Sequence, residues 1–282
     1  MISELFRWVG FVAVCLVVTI HLPFSPTPIQ RFLHEYVSPW AVPWFFFASG
    51  FWTAGRPPSW RRVKSLLVPY FIANALWFTI MAVVQCVATS CLGMEPSRFG
   101  FTVADVLGGF GLTALLPALV PTWFLRALMV FIFTAPLVGV ITQWNKVCGF
   151  LLAGLVFLGH FYFERVDMTP ALRGFLTFAF PTFGFACYVL GTVVGIVFGV
   201  RKLPVKGTEN PFTRNVFAIY LFHVPILLLS SYALRPFGAW GWTKSDLGSF
   251  VLWPSLVMLS ILLAEVLRRC CPKFTRLLLG GR

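Results

Sequence analysis

The sequence predicts an all-α fold: a polytopic transmembrane helix bundle of about eight spans, with both termini on the cytoplasmic side. Three observations predict it. Of 282 residues, 59% are hydrophobic and only 11% are charged, and mean hydropathy is +0.86. Soluble domains average about 45–50% apolar and about 25% charged residues. The apolar residues also form eight or nine continuous segments long enough to cross a membrane core, which needs about 20 apolar residues per helix. A membrane β-barrel would alternate instead, and a disordered chain would not carry 32 Phe and 11 Trp.

Taken in order, the first span covers about Leu5–Pro23. It imitates a signal peptide, but Glu4 accompanies Arg7, no A-x-A site follows and His21 ends the run, so it is read as a retained helix. A Pro-rich loop leads to the second, Phe-rich span, Pro39–Ala54. The stretch RPPSWRRVK reads as a short cationic loop before the third span, Ser65–Thr89. Residues 105–120 (DVLGGFGLTALLPALV) are apolar but short and rich in Gly and Pro, which predicts a re-entrant or interfacial piece within one domain spanning 1–282. The fourth span is Thr122–Thr142 and the fifth Val147–Phe163. The sixth, Leu176–Val200, carries Gly191-x-x-x-Gly195-x-x-x-Gly199, a spacing that lets helix backbones approach closely. The seventh is Thr213–Leu234 and the eighth Ser249–Leu267.

The 22 Lys and Arg against 9 Asp and Glu leave a net charge of +13. The cations sit in short connections, and with eight spans most of them fall on the side that holds both termini. That bias assigns the side as cytoplasmic and argues against a nucleic-acid partner. The seven Cys show no metal or redox spacing; Cys86 and Cys91 flank an outer membrane edge at a spacing that admits a disulfide.

Ionisable groups inside spans are costly and mark function. They are Arg7, His21, Arg126, His160, His223 and Glu265. There is no carboxylate pair at mid-depth, no Cys/His cluster for a metal, no G-x-S-x-G and no Walker A sequence. His21 near the outer end of span one is either a general base or a helix-end histidine bonded to a carbonyl. Arg126, one turn into span four, either reaches the interface or faces the interior and binds an anion. His223 lies near the midplane, where an unpaired polar group costs most. His160 sits near an outer edge.

Four segments then resemble one family in order. Val42-Pro43-Trp44-Phe45-Phe46-Phe47-Ala48-Ser49-Gly50-Phe51 resembles the "VPxFFxxSGF" segment of the acyltransferase 3 family of membrane O-acyltransferases. Arg61 to Tyr70 (RRVKSLLVPY) is similar to its basic loop entering a Pro-Tyr helix. Pro121-Thr122-Trp123-Phe124-Leu125 is similar to its "xxWFL" helix start. Asn215 to Pro225 (NVFAIYLFHVP) is similar to its "iYLxHxP" segment. Two departures stand out. The family carries Arg eleven residues before its first-helix His, where this chain has Gly10 and places Arg7 one turn earlier. The usual member has ten helices, against about eight here. No appended esterase-like segment is read, so transfer is expected to finish in the membrane domain or on a separate partner.

The resemblance implies an enzyme of the inner cell membrane. It would move an acyl group, acetyl in the usual case, from cytoplasmic acyl-CoA to a hydroxyl of an envelope glycan or lipid-linked sugar. His21 would act as general base, with Arg126 or Tyr70 stabilising the oxyanion; His21, Arg126 and His223 are the candidate catalytic residues. Arg7, Arg61, Arg62, Lys64, Tyr70, Arg201 and Lys202 are the candidate contacts for the donor acetyl-CoA, since Arg suits phosphate oxygens. The same cations equally mark topology. No metal is expected. The partners expected are acyl-CoA, a glycan or lipid-linked sugar and membrane lipid. The rival reading is a non-catalytic membrane carrier of a small anionic or sugar solute, which intramembrane His and Arg would also serve; a structural or assembly protein is a further one.

Overall fold

The computed structural model describes residues 2–22, 31–92, 107, 110, 119–169, 172–173, 176, 180–200, 210–234, 241 and 245–280. Among these residues all regular structure is helical. The main helices are α1 (Ile2–His21), α2 (Ala41–Thr53), α3 (Trp60–Leu92), α4 (Trp123–Phe131), α5 (Ala135–Trp144), α6 (Lys146–Arg165), α7 (Thr182–Val197), α8 (Val216–Leu234), α9 (Asp246–Cys270) and α10 (Pro272–Leu278).

Five helices, namely α1, the Trp60–Val84 part of α3, α6, α8 and the Leu247–Cys270 part of α9, are long and apolar enough to cross a membrane. A sixth crossing forms if α4 and α5 count as one broken span, bent by 46°. The expected fourth span is therefore not a single rod. Pro136, second in α5, has no N–H to give the Ile132 carbonyl, and the turn 132–134 separates the two helices. The expected second and sixth spans shrink to 13 and 16 residues. At 1.5 Å per residue they reach about 20 and 24 Å, short of a core of about 30 Å. Pro181 stands at the α7 N-terminus, and Gly199, with φ 61°, lies past its end. The predicted loop RPPSWRRVK is also shorter than expected. Ser59 Oγ accepts from the Arg62 N–H at 3.3 Å, so Arg61, Arg62 and Lys64 belong to the start of α3.

The two short helices pack against each other at the centre, side by side and in the same direction. A Cβ on Gly50 would strike the Tyr188 carbonyl oxygen. One on Gly191 would strike the Phe47 carbonyl, and one on Gly195 would come 2.5 Å from the Phe51 carbonyl. Contact of this closeness holds helices together by dispersion where lipid tails remove any hydrophobic drive. The expected three-glycine seam thus uses two glycines, and Gly199 instead takes the left-handed turn after the helix.

Around this pair, α1 runs antiparallel to α2, since Phe6 stacks on Phe51 with ring centres 4.5 Å apart. It runs parallel to α8, because Phe11 meets Phe212 just before α8, and His21 meets His223 within it. The Trp253 indole N–H donates to the Cys15 carbonyl at 2.8 Å and ties α1 to α9. A Cβ on Gly280 would press on the Ser65 carbonyl, which Pro69 leaves without its helical donor. The C-terminal residues therefore sit beside the start of α3. Since Arg62 also reaches Thr53 at the end of α2, both described termini lie at one end of the bundle. The side chain of Cys91 lies outside the described residues, as does most of segment 105–120.

Candidate active site

The site is a buried polar layer halfway along α8. His223 stands eight residues into that helix and is fully buried. A carbonyl can only accept, so His223 Nδ1–H donates to the Ile219 carbonyl at 3.0 Å. In the neutral ring the lone pair is then on Nε2. That nitrogen is buried and has no hydrogen-bond partner among the described residues. The His21 ring packs against the His223 ring, centre to centre 5.1 Å and tilted by 48°. His21 therefore faces the bundle interior rather than lipid. α8 continues for eleven residues past His223, about 16 Å, so the end of α1 lies against the middle of α8.

One turn before His223, the Tyr220 hydroxyl donates to the Pro121 carbonyl, and its ring packs 5.6 Å from Phe124. Thr122 follows, and its Oγ1 accepts from Asn74 Nδ2 at 2.8 Å. The same amide nitrogen donates to the Tyr70 carbonyl at 2.8 Å, and Asn74 Oδ1 accepts from the Leu119 N–H at 3.1 Å. Asn74 is 1% exposed, so a fully partnered amide pins the entry to α4 against the middle of α3. The Tyr70 hydroxyl donates to the Phe110 carbonyl at 2.5 Å, and the Arg126 guanidinium acts electrostatically on that phenol. Thr19 Oγ1 and Ser38 Oγ lie 2.7 Å apart near His21 and link α1 to the turn before α2.

The expected catalytic and donor residues thus fall into three groups. His21 and His223 meet directly. Tyr70 lies beside Asn74, which donates to its carbonyl, and Arg126 is near enough to act on its phenol. The cations Arg61, Arg62 and Lys64 lie at the terminal end of the bundle, level with Phe6, which is fifteen residues or about 22 Å from His21 along α1. There Arg61 and Lys64 are exposed, with Lys64 Nζ 5.6 Å over the Trp60 ring. Arg62 is different: its Nη2 donates to Thr53 Oγ1 at 3.0 Å, and it acts on the buried Tyr188 phenol. Arg7 is half-buried, and Gly10 is buried with nothing within 4 Å of where its Cβ would be. Arg201 and Lys202 lie outside the described residues.

The sequence places Thr122 and Tyr220 in the resembling segments but gives no role to them or to Asn74. A polar residue within an otherwise apolar run was the available signal for Asn74 and Thr122. Sequence reasoning also left Glu265 without partners, whereas its Oε1 accepts from Arg214 at 2.7 Å, Arg268 at 2.8 Å and Asn215 at 2.8 Å. This cluster joins the start of α8 to the end of α9. His160 Nδ1 and Thr182 Oγ1 lie 2.8 Å apart, away from the layer. A groove of about 310 Å³ along α9, lined by Met258, Ile261, Leu262, Glu265, Val266 and Arg269, touches none of the catalytic candidates. Among the described residues no group of three or more His, Cys, Asp or Glu is placed to hold a metal.

Apolar helices and an interior imidazole pair define the class: a multi-pass membrane protein with a buried polar centre. The family model for the acyltransferase domain matches residues 4–198, more than half of the chain, and the chain belongs to the acyltransferase 3 family. Three of the four resembling segments lie within the match, and the fourth, which carries His223, lies beyond its end. No curated protein and no solved structure matches the chain.

Proposed function

We propose that the protein is an O-acyltransferase of the inner cell membrane. It transfers an acyl group, acetyl in the simplest case, from cytoplasmic acyl-CoA to a hydroxyl of an envelope glycan or lipid-linked sugar. Family membership supports the chemistry, and the observation that carries the mechanism is the His21 ring turned inward onto His223. His21 takes the hydroxyl hydrogen as a proton while the acceptor oxygen bonds to the thioester carbonyl carbon. When the tetrahedral intermediate collapses, the carbon–sulfur bond breaks. The proton then passes from His21 to the departing thiolate, leaving the acyl ester and free CoA thiol. Arg126, acting on the same region as Tyr70, stabilises the oxyanion. Tyr70 can join only by releasing the Phe110 carbonyl.

The donor's phosphates rest on Arg61 and Lys64, the exposed cations at the terminal end, which the proposal places in the cytoplasm. Arg62, tied to Thr53, holds the ends of α2 and α3 together beneath them. The acyl arm must then reach from this end toward His21.

The test is labelled acetyl-CoA with the purified full-length protein in liposomes. Saturable binding that CoA displaces, and loss of acetyl transfer in His21→Ala with binding retained, are expected. Transfer retained in that variant removes His21 from the mechanism. Solute flux without acetyl-CoA binding would replace the enzyme by a carrier.

A further inference from the structure

We propose that His223 is the positioning residue for His21: its Nε2 accepts the N–H of His21 that faces it, so that the other His21 nitrogen presents a lone pair to the acceptor hydroxyl. The inference rests on the acyl-transfer reading and deepens it.

Four observations carry it. The Nδ1–H of His223 is committed to the Ile219 carbonyl at 3.0 Å, which leaves Nε2 as an acceptor. That acceptor is fully buried and has no partner among the described residues, and a buried acceptor left without a donor costs about 1–3 kcal/mol. The ring packed against that of His223 is His21, at a centre distance of 5.1 Å. A head-on N–H···N bond of about 2.9 Å, with each nitrogen about 1.2 Å from its ring centre, also sets ring centres about 5 Å apart. The centre separation thus matches that of such a bond, and completing it requires His21 to turn one of its nitrogens onto Nε2.

The consequence is chemical. An imidazole free to choose its tautomer presents N–H to the acceptor for part of the time and is then no base. Holding one N–H on His223 selects the basic form, and the same bond strengthens as His21 gains its proton. A base oriented by a third group is the general logic of activated nucleophiles. Here the orienting group is a second, neutral imidazole, and it suits the site because a carboxylate buried at this depth would carry a large desolvation cost. His223 neither takes nor gives a proton in the reaction.

The experiment compares His223→Leu, His223→Gln and His21→Ala as full-length protein in liposomes. Acetyl-CoA is the donor, methyl glucoside stands in for the acceptor hydroxyl, and release of CoA thiol is recorded. His223→Leu is expected to lower kcat by at least about tenfold with both KM values unchanged and thermal stability not reduced. His223→Gln, whose amide oxygen can accept the same N–H, is expected to recover most of that loss. Histidine ¹⁵N NMR reads the pair without turnover. His21 is expected as one tautomer in the native protein and in the Gln variant, and as a mixture in the Leu variant. Unchanged kcat in the Leu variant, a Gln variant as slow as Leu, or identical His21 tautomers in all three overturns the inference. Loss of turnover in His21→Ala together with full turnover in His223→Leu sinks only the role of His223. Full turnover in His21→Ala removes His21 from the mechanism and the positioning role of His223 with it, whereas no acetyl-CoA-dependent thiol release in the native protein sinks the acyl-transfer reading itself.

Discussion

Asn74 shows how one side chain can be structural and yet lie inside a functional layer. It has three hydrogen bonds, to Tyr70, Thr122 and Leu119, and is almost fully buried. Asn74→Ala is expected to lower stability by about 1–3 kcal/mol through the unpaired Leu119 N–H, measured by thermal unfolding in detergent. Because the entry to α4 would loosen, Arg126 would move as well, and turnover is expected to fall more than stability alone explains. Thr122→Val, which keeps the shape and removes the hydroxyl, is expected to lose less than Asn74→Ala, since two of the three Asn74 bonds survive. At the same scale, Gly10 and Gly191 should answer oppositely to the same change. Gly10→Ala meets open space and gains helix propensity, so stability is expected to rise by about 0.5–1 kcal/mol. Gly191→Ala places a methyl on the Phe47 carbonyl and is expected to lower it.

At the scale of elements, the α2–α7 pair organises the bundle. Both helices are too short to cross unaided, and both are held by backbone contact rather than by large interdigitating side chains. Gly50→Leu is expected to separate them and to abolish folding into a monodisperse species, visible by size-exclusion chromatography in detergent. The seam was legible as a glycine spacing. Its partner was not, because a spacing states that a close approach is possible and not what approaches. The bend between α4 and α5 was legible in principle from Pro136. A hydropathy window averages across a three-residue break, however, and so returns one span. The start of α3 was missed for a related reason: Arg61, Arg62 and Lys64 look like a loop by composition, while Ser59 caps a helix that already contains them.

At the scale of the whole molecule, the proposed donor path runs from the exposed cations at the terminal end to the imidazole pair at the middle of α8. Reversing Arg61 and Lys64 to Glu is expected to weaken acetyl-CoA binding by an amount that shrinks as salt rises, read from binding isotherms at several ionic strengths. Arg62→Glu is expected to destabilise the protein in addition, because it removes the donor to Thr53 and places a carboxylate beside the buried Tyr188. If all three positions behave alike, the separation of Arg62 from its neighbours is wrong.

Composition alone determined that this is a multi-pass helical membrane protein. The order of four short segments determined its family. Both conclusions follow because they depend on averages and on local pattern, which a chain carries in one dimension. Which helices stop short, that Arg62 is a strut while Arg61 is free, and that His21 and His223 share one interior space were decided by tertiary packing. Residues 21 and 223 lie far apart in the chain, and only the parallel alignment of α1 with α8 puts the last turn of one against the middle of the other.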